Sequence, residues 1–238
     1  MGTTYKINMS STQDLPDKVA QIQSEQSALL TSLGVTIAYT STSSSSWELK
    51  FIRSAEDNPF KVMITDNNSG QSSVWNGSFQ IGSYVRSCGQ YAIIECMEKS
   101  ILVAFSTSLT PNVPVRYFAI ITKNDDDTVT LICPRTSSSS DYAAQVLIKE
   151  APITDAGSPQ TVFANPALYV GAFDQYALAN VPRKSNGNVC DNAFIVLAWS
   201  DPIECGIGRV NDVDHAMCRV LTKATSGTTE CYCMFACK

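Results

Sequence analysis

Apolar residues recur every three or four positions between residues 14 and 33, which predicts one amphipathic helix. Asp14 can cap its start, Pro16 falls in the first turn, and Gly34 stands at the expected C-terminal stop. Six positions form a stripe on one face, called the helix stripe below: Leu15, Val19, Ile22, Gln26, Leu29 and Leu33. Their spacing is typical of a heptad seam with one polar layer, at Gln26.

The helix stripe has two interpretations. It can join copies of the chain into a short helical bundle in which Gln26 sets the register, or it can lie on a sheet of its own chain. Since the seam is shorter than the three or four heptads of a clear coiled coil, both interpretations stay open. The six residues are therefore a candidate oligomer interface.

Outside this helix, apolar and polar residues alternate, which predicts β-strands. Residues 1–10 are expected to be extended, and the best hairpin joins 116–123 to 128–133 through the acidic turn 124–127. Residues 174–192 are polar and are predicted to be a loop. The other predicted strands are 35–39, 47–51, 60–64, 73–81, 90–97, 100–106, 142–149, 167–173, 193–199, 216–222 and 229–237.

Two serine runs, at 41–46 and 136–140, divide this pattern. The first is predicted to be a loop or linker and the second a boundary between two β-rich halves. We therefore expect a mainly β protein, with an N-terminal α-helix followed by one or two antiparallel β-sandwich or barrel-like domains. The predicted organisation is a strand and helix over 1–34, a β-rich domain over 35–135 and a second over 141–238.

The composition excludes several classes of function. Only 16% of residues are charged, against about a quarter in an average protein, and 28 serines and 20 threonines are present. The net charge is −5, with 17 basic and 22 acidic residues and no basic cluster, so direct nucleic-acid binding is not expected. The apolar runs are far shorter than the ~20 residues of a membrane-spanning helix, so no membrane association is expected.

Nine cysteines and a single histidine, His215, limit the chemistry. An odd cysteine count and no recognisable secretory signal favour reduced, buried thiols. A zinc site would have to combine His215 with cysteines that lack the usual C-x2-C spacing: Cys205, Cys218, Cys231, Cys233 and Cys237. Catalysis through His215 and Asp214 lacks a G-x-S-x-G motif. We expect no enzymatic activity, no catalytic or metal site and no cofactor.

The helix stripe, followed by Ser/Thr-rich β segments around Ser44–Ser46 and Ser138–Ser140, resembles virion structural proteins of tailed bacteriophages. The resemblance implies a head, connector, tail or fibre component present in symmetric copies and assembled in the host cytoplasm. Its partners would be copies of itself and other virion proteins, with no small-molecule substrate. The alternative is a carbohydrate- or receptor-binding β module that uses exposed aromatics, for which Trp47, Trp75 and Trp199 are candidates.

Overall fold

A computed structural model of the protein describes residues 2–8, 13–43, 46–65, 91–106, 118–134, 146–149, 160–162, 178–182, 189–196, 206–223 and 230–238. The predicted strands at 73–81 and 167–173 fall outside these ranges, as does the second serine run.

Within the described ranges the chain forms two helices and fifteen strands, which confirms the predicted mainly β class. The helices are α1 (Asp14–Glu25) and α2 (Ser27–Leu33). The strands are β1 (Thr3–Asn8), β2 (Val35–Ser43), β3 (Ser46–Arg53), β4 (Phe60–Thr65), β5 (Tyr91–Cys96), β6 (Ser100–Ser106), β7 (Phe118–Lys123), β8 (Val129–Pro134), β9 (Val146–Lys149), β10 (Gln160–Val162), β11 (Leu178–Pro182), β12 (Val189–Val196), β13 (Gly206–Val210), β14 (Val213–Lys223) and β15 (Glu230–Cys237).

These strands form three antiparallel sheets. The central sheet has seven strands in the order β1-β5-β6-β7-β8-β9-β10. A five-stranded sheet has the order β11-β12-β15-β14-β13, and a three-stranded sheet has the order β2-β3-β4. Most neighbours in these sheets follow one another in sequence, so hairpins make many of the connections.

The middle strands of the central sheet, β6, β7 and β8, are buried on both faces. Because successive side chains of a strand point to opposite faces, each of these three strands contributes to two cores. On β6, Ile101 and Val103 join the core shared with the helices and the three-stranded sheet, whereas Leu102 and Ala104 join the core shared with the five-stranded sheet. All four side chains are at most 3% exposed. The molecule is thus three layers deep, with the central sheet in the middle.

The helix predicted over residues 14–33 is divided at Gln26. The backbone of Gln26 (φ −110°, ψ 20°) leaves the helical region, so α1 ends before it and α2 begins after it. The Gln26 amide Nε2 donates to the Tyr5 hydroxyl at 2.8 Å, and that hydroxyl donates to Glu25 Oε2 at 2.8 Å. Burial raises the pKa of Tyr5 to about 12, which keeps the hydroxyl a donor. Gln26 therefore fastens the helix break to β1.

The apolar members of the helix stripe lie inside the chain. Leu15, Val19, Ile22, Leu29 and Leu33 are at most 8% exposed and pack in the core formed with the central and three-stranded sheets. Little of these side chains remains exposed to meet a second copy. The stripe is the apolar face of two helices that lie on a sheet of their own chain.

Arg53 joins three parts of the fold. Its buried guanidinium donates from Nε to the Leu33 carbonyl at the end of α2 (3.0 Å) and from both terminal nitrogens to the Asp57 carboxylate (2.8 and 3.0 Å). These bonds hold the pKa of Asp57 below its ordinary value. Within the turn beyond Asp57, the Asn58 amide donates to the Val129 carbonyl of β8 at 2.7 Å. The outer layer is thereby fixed to the central sheet.

The predicted hairpin around 124–127 is confirmed as β7 and β8, and the strands at 47–51 and 60–64 are confirmed as β3 and β4. The first serine run is not a linker, because β2 continues to Ser43, which pairs with Ser46 of β3. The polar segment 174–192 is not a single loop, since it contains β11 and the start of β12. In both segments, strand pairing has overridden a polar composition that favours loops.

The predicted domain boundaries do not coincide with the sheets. β1, from the segment 1–34, pairs with β5 of the central sheet. β8 and β9, from opposite sides of the predicted boundary at 135–141, also pair with each other. The central sheet therefore takes strands from all three predicted segments.

We expect Ile22→Ala to lower the free energy of unfolding by about 2–5 kcal/mol, because it empties a fully buried site in the core. The native mass should be unchanged, since the helix stripe lies in the interior. Urea unfolding and light scattering measure the two quantities, with exposed Thr31→Ala as the control. A variant that keeps its stability but loses oligomeric mass would restore the interface role of the stripe.

We expect Arg53→Lys to lower the free energy of unfolding by about 1–3 kcal/mol, because an ammonium cannot replace the forked contact with Asp57 and the bond to Leu33. Arg209→Lys is the matched control, since the Arg209 side chain is 70% exposed and its single ion pair is on the surface. Urea denaturation compares the two variants, and equal losses would contradict the fastening role of Arg53.

Candidate functional site

A row of buried polar side chains closes one end of the core between the central and five-stranded sheets. Ser100, Thr122 and Thr130 are neighbours on β6, β7 and β8 and have no exposed surface. The hydroxyl oxygens of Ser100 and Thr122 lie 2.8 Å apart, and the Asn124 amide donates to the Thr130 hydroxyl at 2.9 Å. These partners offset the cost of burying polar groups in a core.

The same row binds the five-stranded sheet to the central sheet. The Asn192 amide of β12 donates to the Lys123 carbonyl of β7 at 2.5 Å. The Asn192 backbone carbonyl accepts from the Lys238 backbone N–H at 3.1 Å, and the Ser100 hydroxyl donates to the Lys238 backbone oxygen at 2.8 Å. Asn192 is only 2% exposed, so this polar junction is held away from solvent. It fixes the position of one layer relative to the other.

An open cleft of about 490 Å³ lies beside this junction. Its walls come from the segment between β5 and β6, the tip of the β7–β8 hairpin and the β13–β14 hairpin, and Asn192 and Lys238 also line it. On one wall Lys99 Nζ lies 2.7 Å from Asp125 Oδ1, and on another Arg209 Nε lies 3.1 Å from Asp214 Oδ1. The volume is within the range of small-molecule sites, about 300–1,000 Å³.

The β13–β14 hairpin brings Arg209 and Asp214 together. Asn211 and Asp212 form its turn with positive φ angles of 50° and 62°, as a two-residue type I′ turn requires. This turn sets a register in which Arg209 pairs directly with Asp214. The Asn-Asp pair between two strand-like segments is a turn signal that sequence reasoning missed.

Glu95 is a second feature that the sequence patterns did not single out. It is 1% exposed, and its Oε2 accepts a hydrogen bond from the Thr4 hydroxyl at 2.6 Å. Its Oε1 has no hydrogen-bond partner within the described chain and lies near Gly206 of β13. Burial raises the pKa of Glu95 above its ordinary value, against the opposing effects of Thr4 and Lys6. An acidic residue in the otherwise apolar run 92–96 was the available signal.

His215 and Asp214 do not form a catalytic pair. His215 is 3% exposed and lies in β14, one residue before the strand predicted over 216–222. Its Nδ1 lies 2.9 Å from the Val213 carbonyl oxygen, and its ring packs edge-to-face on Phe194. Burial lowers the pKa of His215, which favours the neutral ring. Because neighbouring residues of a strand point to opposite faces, Asp214 points away and pairs with Arg209.

The described cysteine side chains are free thiols within the cores. They are Cys96, Cys133, Cys190, Cys218 and Cys237. Burial raises the pKa of Cys96 and of Cys133 to about 12, so both are protonated packing groups. Among the residues for which the structure gives positions, no three His, Cys, Asp or Glu side chains are arranged to hold a metal ion.

The remaining candidates lie elsewhere in the chain. Trp47 is part of β3, whereas Trp75, Trp199, Cys88 and Cys205 are outside the described ranges. Neither described helix is long and apolar enough to cross a membrane. The cleft residues come from six separate stretches of sequence, so no spacing motif could have revealed them.

The chain matches no protein-family model, and no curated protein or solved structure is significantly similar to it. The geometry of the described residues is therefore the evidence on which we propose a function.

We expect Glu95→Gln to stabilise the protein by an amount that grows with pH. Because the folded-state pKa of Glu95 is raised above 4.5, the folded protein holds this proton more tightly than the unfolded chain. The stability contributed by the protonated carboxyl is full below pH 4.5 and is lost as the pH rises through the folded-state pKa. At neutral pH the variant should be more stable by about 1–3 kcal/mol, since it carries no buried charge.

Urea unfolding over a pH series measures this difference. Glu98→Gln, at an exposed position three residues away, is the control and should show no such trend. A difference between Glu95→Gln and the unaltered chain that stays constant with pH would refute the explanation.

Proposed function

We propose that the protein is a non-enzymatic building block of a virus particle, comparable to a head, connector, tail or fibre component of a tailed bacteriophage. The observation that carries this proposal is the three-layer arrangement, in which β6, β7 and β8 of the central sheet are covered on both faces. Each layer is also fixed to the next by buried polar contacts, at Asn58 and at Asn192. Such a body resists deformation, as a repeated structural unit must.

The burial of the histidine and of the described cysteine thiols supports the same proposal. His215 is packed against Phe194, and the described thiols fill the cores. Arg53 and Asn58, both buried polar residues, bind backbone carbonyls of neighbouring elements. In the part of the chain that the structure describes, these groups serve packing and layer attachment.

The proposed contacts between copies use outward surfaces. The helix stripe is interior, so α1 and α2 can offer only their exposed outer face, with Asp17, Ser24 and Ser27. The outer strands of the sheets are the other candidates, because an edge strand carries N–H and C=O groups that can pair with another chain. Among the described strands, β4 and β13 each end a sheet.

The proposed partners are copies of the chain and other proteins of the particle, which would be assembled in the host cytoplasm. A net charge of −5 argues against a role in holding nucleic acid directly. The proposal includes neither a cofactor nor a small-molecule substrate for catalysis.

A carbohydrate- or receptor-binding β module is the second candidate. The specific observation in its favour is the polar cleft beside Asn192, where side chains of two sheets meet.

Native mass spectrometry and light scattering of the full chain test the assembly proposal. We expect a discrete oligomer whose mass is an integral multiple of 25.8 kDa at micromolar concentration. Ile22→Ala should retain that mass, because the contacts between copies do not involve the helix stripe. A strict monomer throughout this concentration range would contradict self-assembly.

A further inference from the structure

We propose that the cleft between the β7–β8 tip and the β13–β14 hairpin binds a neutral, hydroxyl-rich saccharide. The inference does not rest on the assembly proposal; it assigns a ligand class to the second candidate function.

The charges that face the cleft are largely matched with each other. Lys99 is paired with Asp125, and Arg209 is paired with Asp214. The Lys238 ammonium lies 5.5 Å from the centroid of the Phe194 ring. Glu98 and Asp212 complete the charged lining, so four acidic and three basic side chains are present. A strongly charged ligand would gain little from walls whose opposite charges already neutralise one another.

The side chains that line the cleft include both hydrogen-bond donors and hydrogen-bond acceptors. Carboxylates have several acceptor positions, and one contact with a cation leaves some of them available. A guanidinium has five N–H donors, of which the Nε–H of Arg209 is used toward Asp214. A sugar hydroxyl can both donate and accept a hydrogen bond. Of two adjacent hydroxyls, one can therefore donate to a carboxylate while the other accepts from the cation beside it. The cleft presents two such pairs, Lys99–Asp125 and Arg209–Asp214.

The pairs are held by elements that have little freedom. The Asp125 backbone N–H donates to Asp191 Oδ2 at 2.8 Å, which ties the β7–β8 tip to β12. The type I′ turn at Asn211 and Asp212 fixes the β13–β14 hairpin. Buried Asn192 joins the sheets at the edge of the cleft. A preorganised polar site loses less entropy when it binds a ligand.

An apolar patch is present beside the polar groups. Val213 is 46% exposed and lines the cleft together with Met97 and Gly2. A Cβ atom at position 2 would lie within 2.6 Å of the Met97 and Ile207 side chains. Glycine at this position therefore avoids a clash in this wall of the cleft. One face of a sugar ring carries C–H groups, which suit such a patch. The combination of matched charges and a small apolar surface distinguishes a saccharide from an ion.

Saturation-transfer-difference NMR and calorimetry of the full chain with lactose, maltose, cellobiose and chitobiose test the proposal. We expect saturable binding of at least one disaccharide in the millimolar range, nearly independent of NaCl concentration because the ligand is neutral. Asp214→Asn and Arg209→Gln should each weaken binding about tenfold, as loss of a hydrogen bond to a charged group does.

Glu48→Gln is the matched control, since it removes one surface ion pair, with Lys50, on the three-stranded sheet far from the cleft. It should leave the affinity unchanged, and circular dichroism confirms that each variant is folded. Absence of binding by all four disaccharides overturns the proposal, as does binding that none of the cleft variants weakens. Binding of inorganic phosphate instead, with a steep salt dependence, identifies an anion site and also overturns it. None of these outcomes depends on the oligomeric mass.

Discussion

The two-sided burial of β6, β7 and β8 in the central sheet is the constraint on which the rest of the structure depends. Alternate residues of β6 must fit two different cores, so both halves of the alternation are apolar. A shift of one residue in the pairing of this strand would exchange the two sets. It would also move Ser100 from the polar junction into the core that faces the helices. Register is therefore specified by packing on both faces together.

Two polar junctions complement this packing. Arg53 fastens the end of α2 and the β3–β4 turn, and Asn58 carries that attachment to the central sheet. On the opposite side, Ser100 and Asn192 join the central sheet to the five-stranded sheet. Apolar contacts are non-directional and allow layers to slide, whereas hydrogen bonds in a core require one arrangement. The junctions thus select a single relative position of the layers.

The positions of the polar and reactive side chains are the basis of the functional proposals. The residues that most often do chemistry, the histidine and the thiols, are packed inside the described cores, while Lys99, Asp125, Arg209 and Asp214 gather where two sheets meet. A layered body with a polar cleft at one end is compatible with a structural unit that also recognises a ligand. The body and the cleft are nevertheless separate features, because Lys99, Asp125, Arg209 and Asp214 belong to none of the apolar cores.

The sequence by itself determined the fold class, the β7–β8 hairpin, most of the described strands and the amphipathic nature of residues 14–33. Those features follow from the spacing of apolar residues along the chain, which has a period of 2 in a strand and 3.6 in a helix. Only the tertiary structure decided that the helix stripe covers its own sheet, that Gln26 bonds Tyr5, and that β9 joins β8 across the predicted boundary. It alone gathered the cleft, since Lys99, Asp125 and Arg209 are far apart in the chain. The spacing of apolar residues shows which face of a helix or strand is apolar. The order of strands in the sheets decides which other element that face packs against.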